Sequence, residues 1–204
     1  MYSGMAVRSS LAIGIPNLKE NESATASALW WALYVHEVEI CVSAGREAML
    51  RDPNDYRIPL PYTLAPNDPK QSLSEHMVAL AHLLHMLNQE TSLMESAAPN
   101  TNSSTKSLDL DQRLLNWKKD LPKMLDLDLV SLVEPEWLTK QKIVLTLRFY
   151  NARILIHRPF LIAAAGGPTT DISSDHVNLC VEASRNTINL LYNAYANRPY
   201  FRTW

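Results

Sequence analysis

Apolar residues recur along this chain at steps of three and four in six separate segments, the spacing that stacks side chains on one face of an α-helix. Bounded stretches of apolar and polar alternation are absent, as are Asn-Gly and Asp-Gly turns, so hairpins have no support. The pattern predicts an all-α fold, an irregular helical bundle of about six helices with a proline-rich strap between the second and third.

The first predicted helix, about Tyr2 to Ile13, carries Met5, Leu11 and Ile13 and stops at Gly14, with Pro16 close behind. The second, about Ala24 to Glu47, follows Asn21 and Ser23 as candidate caps. Its stretch from Ala28 to Val35 is apolar nearly all round, which predicts a central helix enclosed by other elements. Between Arg51 and Lys70 stand Pro53, Pro59, Pro61, Pro66 and Pro69, which forbid helix and central strand and leave an extended, tightly routed strap. The third helix, about Ser72 to Glu95, spaces Leu73, Met77, Leu80, Leu84, Leu87 and Met94 as a coiled-coil seam would. Val78, Leu83 and Met86 widen that face, which favours a core helix over a dimer seam.

Residues 96–107, SAAPNTNSSTKS, are small and polar and read as a mobile surface loop that could separate two subdomains. After it, Leu110, Leu114, Trp117 and Leu121 define a fourth helix ending near Pro122. The fifth, about Glu136 to Ala165, carries Pro159 and is expected to kink there. The sixth starts near Ser174 or Asp175 and is expected to bury Val177, Val181, Ile188, Leu191 and Tyr195.

Composition narrows the class. At 204 residues, 47% apolar, 20% charged and net charge -2, the chain reads as an ordinary globular protein of one large domain or two small ones, without a basic field for nucleic acid. Five glycines, at 4, 14, 45, 166 and 167, form no phosphate loop and no nucleophile elbow. Cys41 and Cys180 lie too far apart in the chain for a C-x-x-C or zinc-finger spacing. No signal-peptide pattern and no run of about 18 apolar residues occurs, so a soluble intracellular protein without membrane contact is expected.

Candidate chemistry is sparse. His82 and His85 form an H-x-x-H pair with His76 two turns back, and all three fall off the apolar seam, so exposed histidines are expected rather than a metal site. His36-Glu37 begins an H-E-x-x-H motif that fails at Ile40. Glu37, inside an apolar helix, is expected to be buried and paired with Arg46, Arg153 or Arg158. Residues 137–170 carry Lys140, Lys142, Arg148, Arg153 and Arg158 and no acidic residue. Because these cations are scattered around the helix, a solvated helix with one or two buried arginines is expected over a nucleic-acid surface. Asp109-Leu110-Asp111 and Asp126-Leu127-Asp128 lack the glycine and glutamate of a calcium loop and read as helix caps and solvated faces. No Ser/His/Asp or Cys/His set can be assigned, so no enzyme activity is expected.

Leu29-Trp30-Trp31-Ala32-Leu33-Tyr34-Val35-His36-Glu37, then Gly45-Arg46 and Ile58-Pro59-Leu60-Pro61, resembles the middle homology region of fungal zinc binuclear cluster transcription factors of the xylanolytic-regulator type. Gly4-Met5-Ala6 with Arg8 resembles the helix that precedes it. Leu114, Trp117, Leu121 and Pro122 resemble a later element, and Ile154 to Leu161, through His157-Arg158-Pro159-Phe160, resembles the family's I-L-L-H-R-P-F-L helix. Glu47 stands where the family usually has proline. The resemblance implies a nuclear regulatory domain in residues 1–204, truncated at both ends, that modulates transcription through other segments of a longer factor or through co-regulators. It implies no catalytic residue, metal ligand or DNA-binding residue here, with zinc expected only in an N-terminal cluster outside this chain. A metabolite-sensing helical domain is the alternative. Truncation would further leave an apolar patch around Trp30-Trp31, with self-association as its consequence.

Overall fold

The computed structural model describes residues 2–19, 24–44, 46, 48, 50–59, 76, 79–87, 100–128, 134–166 and 171–197. Six helices account for most of them: α1 (Tyr2–Ala12), α2 (Ala24–Ser43), α3 (79–87), α4 (Thr101–Lys119), α5 (Glu136–Ala165) and α6 (Asp171–Asn197). Single 3-10 turns occupy Ile15–Asn17, Pro53–Asp55 and Lys123–Leu125, and among the described residues there is no strand. The all-α expectation holds. Two compact units emerge, the first formed by Met1–Ser92 and Lys119–Gln141, the second by Leu93–Lys118 and Lys142–Trp204.

The first unit is organised by α2. Ser27, Trp30, Trp31, Tyr34, Val38 and Val42 are buried, a stripe at helical steps of three and four. The opposite face, with Ala28, Leu29, Ala32, His36 and Ile40, is exposed, so α2 is not enclosed all round as its composition predicts. Alanine and isolated Leu or Ile residues stand in water at little cost, which is why composition alone overstates the burial of such a helix. Trp30 and Trp31 are themselves fully buried, so the pair contributes no apolar surface, while the neighbouring Leu29 is 49% exposed.

Neighbouring chain is pinned to α2 by hydrogen bonds. α1 stops at Gly14, whose φ of 80° is a left-handed conformation that favours glycine. The backbone turns through the buried Pro16, whose carbonyl accepts from the Ile58 N–H at 3.1 Å. Residues 51–59 of the proline-rich connection then lie along α2: the Pro59 carbonyl accepts from Ser27 Oγ at 2.7 Å and Trp31 Nε1 at 2.9 Å. Tyr34 Oη donates to the Arg51 carbonyl at 2.9 Å. Tyr56 closes the cluster edge-on to Trp30 with ring centroids 5.0 Å apart. The strap is as tightly routed as expected over this half; Pro61, Pro66 and Pro69 lie outside the described residues, as does Gly45. In α3 Leu80, Leu83, Leu84 and Leu87 are buried, so the seam-like spacing belongs to a core helix.

The second unit is built from α4, α6 and the greater part of α5. α4 begins well before the expected point. The segment 96–107 reads as a loop in the sequence, yet 101–107 are helical. Asn100 explains the difference: its side chain accepts from the Ser103 N–H at 2.9 Å while Ser103 Oγ accepts from the Asn100 N–H at 2.8 Å, a reciprocal cap that satisfies orphan donors of the first turn. α5 keeps its predicted bounds and continues as helix through Pro159.

Candidate functional site

The polar groups with the most developed geometry lie inside the second unit. α4 turns Ser104, Ser107, Leu110, Asp111 and Leu114 inward, at helical spacing but with small or charged side chains at three of the five positions. α5 presents Leu145, Phe149, Arg153, Ile156, His157 and Phe160 to the same interior, and α6 adds His176, Cys180 and Ala183.

Arg153 forks onto Asp111, Nε to Oδ1 at 2.7 Å and Nη2 to Oδ2 at 2.9 Å, the paired geometry a planar guanidinium makes with a carboxylate. His157 Nε2 stands 3.4 Å from Asp111 Oδ1. His157 Nδ1 lies 2.8 Å from His176 Nδ1, and His176 Nε2 lies 2.8 Å from Ser104 Oγ. Phe160 stacks on the His176 ring at 3.7 Å, nearly parallel. Five polar side chains thus form one buried chain in the order Arg153, Asp111, His157, His176, Ser104.

One assignment of hydrogens suits both imidazoles when neutral, although His157 Nε2 faces Asp111 across 3.4 Å without closing a hydrogen bond. His157 turns Nε2–H toward the carboxylate and leaves Nδ1 as an acceptor. His176 donates Nδ1–H to it and accepts the Ser104 hydroxyl proton at Nε2. The reverse order would aim a bare nitrogen lone pair at the Asp111 carboxylate. Burial alone would raise the Asp111 carboxyl, but the nearby His157 ring and the hydrogen bonds and charge of Arg153 outweigh it and bring the carboxyl to about 2. His176 is pushed down to about 4, first by burial and then by neighbouring His157. The row could pass a proton from Ser104 toward Asp111, yet all five side chains are buried, and Ser104 offers no accessible nucleophile.

A second polar group belongs to the first unit. His85 Nε2 lies 2.9 Å from Asp52 Oδ2 and its Nδ1 3.2 Å from Tyr34 Oη. Asp52 also accepts from the Asn54 N–H at 2.9 Å, a backbone bond that leads in holding its carboxyl low. The three histidines of the H-x-x-H segment are therefore not exposed as expected. His76 is pushed to about 4 by burial, His82 is also lowered by burial, and His85 carries a structural pair.

Compared with models of protein families, with curated proteins and with solved structures, the chain matches none.

The residues of the family resemblance fall into distinct roles. Trp30, Trp31, Tyr34 and Pro59 are the anchors of the first unit. Trp117 is half-buried and stacks on Phe149 at 6.4 Å, and Pro122 is exposed at the start of a 3-10 turn. His157 sits at the centre of the buried row, flanked by exposed Arg158 and half-buried Pro159. Glu37 is half-buried rather than buried and receives the Cys41 thiol at 3.9 Å. Of its expected partners, Arg153 is committed to Asp111, while Arg46 and Arg158 are exposed. Asp111, expected on a solvated face, is buried; its true role was hidden because a single Asp gives no sign of an Arg 42 residues away. Among the described residues no group of three or more His, Cys, Asp or Glu is placed to hold a metal, and no helix is long and apolar enough to cross a membrane.

Proposed function

We propose that this chain is a regulatory, protein-binding module of a fungal transcription factor. It acts in the nucleus by contacting other segments of a longer factor or co-regulators, and it leaves DNA recognition to a zinc cluster outside these residues. The observation that carries this reading is the exposed face of α6. Val181, Ile188, Leu191 and Tyr195, all expected in the core, stand in solvent at 43%, 66%, 46% and 61% exposure, and Tyr192 beside them at 72%. The helix buries His176, Cys180, Ala183 and Ala194 instead. Small and polar groups fill the interior while the larger apolar ones face outward, an arrangement suited to a partner surface rather than to a folding core.

A metabolite sensor has less support. A groove of about 300 Å3 lined by Leu161, Val181, Ser184, Arg185, Ile188 and Asn189 sits at the bottom of the size range of small-molecule sites. The direct experiment fuses the chain to a heterologous DNA-binding domain beside an activation segment and reads a reporter gene. The reading expects reporter output to change when the chain is present and to revert with Leu191→Glu. Unchanged output with a folded, expressed fusion would refute it.

A further inference from the structure

We propose that the exposed face of α6 docks a second copy of this chain, the two α6 helices crossing antiparallel about a two-fold axis near Ile188. The inference goes beyond a general protein-binding role, because it names the occupant and the register.

The first observation is that the face carries both halves of a joint. Toward its N-terminal end lies the apolar groove formed with α5, lined by Leu161, Val181, Ser184, Arg185 and Ile188. The two most prominent aromatic rings of the stripe stand further on, Tyr192 beyond Ser184 and Tyr195 beyond Val181, roughly 12 and 21 Å along the axis at the rise of an α-helix. An antiparallel two-fold through Ile188 sets Tyr195 of one copy opposite Val181 of the other, and Tyr192 opposite Ser184. Large side chains then meet small ones at both ends, and Ile188 meets its own symmetry mate. An isologous interface requires this self-complementarity, in which one patch serves both partners. Parallel pairing would stack tyrosine on tyrosine and leave both grooves unfilled.

Charge supports the same occupant. From residue 177 to 197 the only Asp, Glu, Lys or Arg are Glu182 and Arg185, and 186–197 contain none. Self-pairing therefore brings no like charges together, and Arg185 lies opposite Leu191 and Tyr192, where a guanidinium can rest on an aromatic face. Charge-poor, tyrosine-bearing surfaces mark the centre of protein interfaces.

Area completes the case. The exposed stripe, with Ile162 (64% exposed) on the neighbouring turn of α5, presents about 500 to 600 Å2 of apolar side chain per copy, judged from the sizes of such side chains. Two copies bury roughly 1,000 to 1,200 Å2, the lower edge of specific interfaces and the size of weak, reversible association.

Sedimentation equilibrium of the full chain across about 1 to 200 µM tests this. The expected result is a mass rising from one chain to two and levelling there. Ile188→Asp, at an exposed position, is expected to hold the protein at one chain across the range with unchanged circular dichroism. Ile188→Cys is expected to form a disulfide-linked dimer under mild oxidation, whereas Glu182→Cys, off the stripe, is not. A mass of one chain at every concentration would overturn the proposal, as would a mass growing past two chains or equal cross-linking by both cysteine variants. A monomer that still changes reporter output in a fusion would leave the regulatory reading standing and assign the face to a different protein.

Discussion

The interiors of the two units solve the same packing problem with different chemistry. Around α2 the buried side chains are aromatic and aliphatic, and the polar handles of Trp31 and Tyr34 end on backbone carbonyls of a proline-rich segment. Between α4, α5 and α6 the centre is a row of ionised and hydrogen-bonded groups from Arg153 to Ser104. In the first, losing one hydrogen bond leaves most of the burial intact. In the second, each group is tolerable inside only because its neighbour is present, so removing one member strands the rest.

Breaking the charged row should therefore have the largest effect. Arg153→Met leaves the Asp111 carboxylate buried without its guanidinium and is expected to cost about 3 to 5 kcal/mol, measured by denaturant unfolding. Replacing both partners, Asp111→Leu with Arg153→Met, should recover much of that loss, since an apolar pair of similar volume leaves no charge stranded. If the single and double variants are equally unstable, the row is not what makes this core depend on its charges.

Acid should weaken both interiors next, through a histidine in each. His176 titrates near 4 when folded and near 6.5 when unfolded. Its contribution is thus fully present above pH 6.5 and lost as pH falls toward 4. His76 in the first unit, also brought to about 4, adds a loss in the same window. The Asp111 contribution disappears lower still, between its ordinary value of 3.8 and about 2. Unfolding midpoints from pH 8 to 4 should fall, and His176→Gln should flatten part of that fall. An unaltered slope in the variant would contradict the assignment.

Trp31→Phe keeps an aromatic ring but removes the N–H to the Pro59 carbonyl and the pyrrole part of the buried indole, with an expected cost of about 2 kcal/mol from the lost hydrogen bond and the small cavity together. Asn100→Ala should cost about 1 kcal/mol through the lost helix cap and selectively speed amide exchange at the start of α4. A cost comparable to that of Arg153→Met would erase the contrast drawn here.

The aromatic interior was legible in the sequence because Trp30, Trp31, Tyr34 and the leucines of α3 advertise burial by type and spacing. The charged interior was not. Ser104, Ser107 and Asp111 follow the same spacing, but small and polar residues mark a buried face only when partners on other helices are known. For that reason the first turns of α4 read as loop and Asp111 as solvated. His157 stood out only through the family resemblance, which carries no indication that it meets His176. The reversal on α6 has the same root: apolar residues at helical spacing identify a face that avoids charge, without saying whether the cover comes from this chain or another.

The central claim is that the second core closes through a hydrogen-bonded histidine pair between Ser104 and Asp111, with His176 neutral. Long-range nitrogen–proton correlation of the histidine rings tests it directly. The expected result is His176 as the Nδ1–H tautomer at pH 7, neutral until pH falls to about 4. A His176 ring in the Nε2–H form, or one titrating near 6.5 like an imidazole in water, would contradict it.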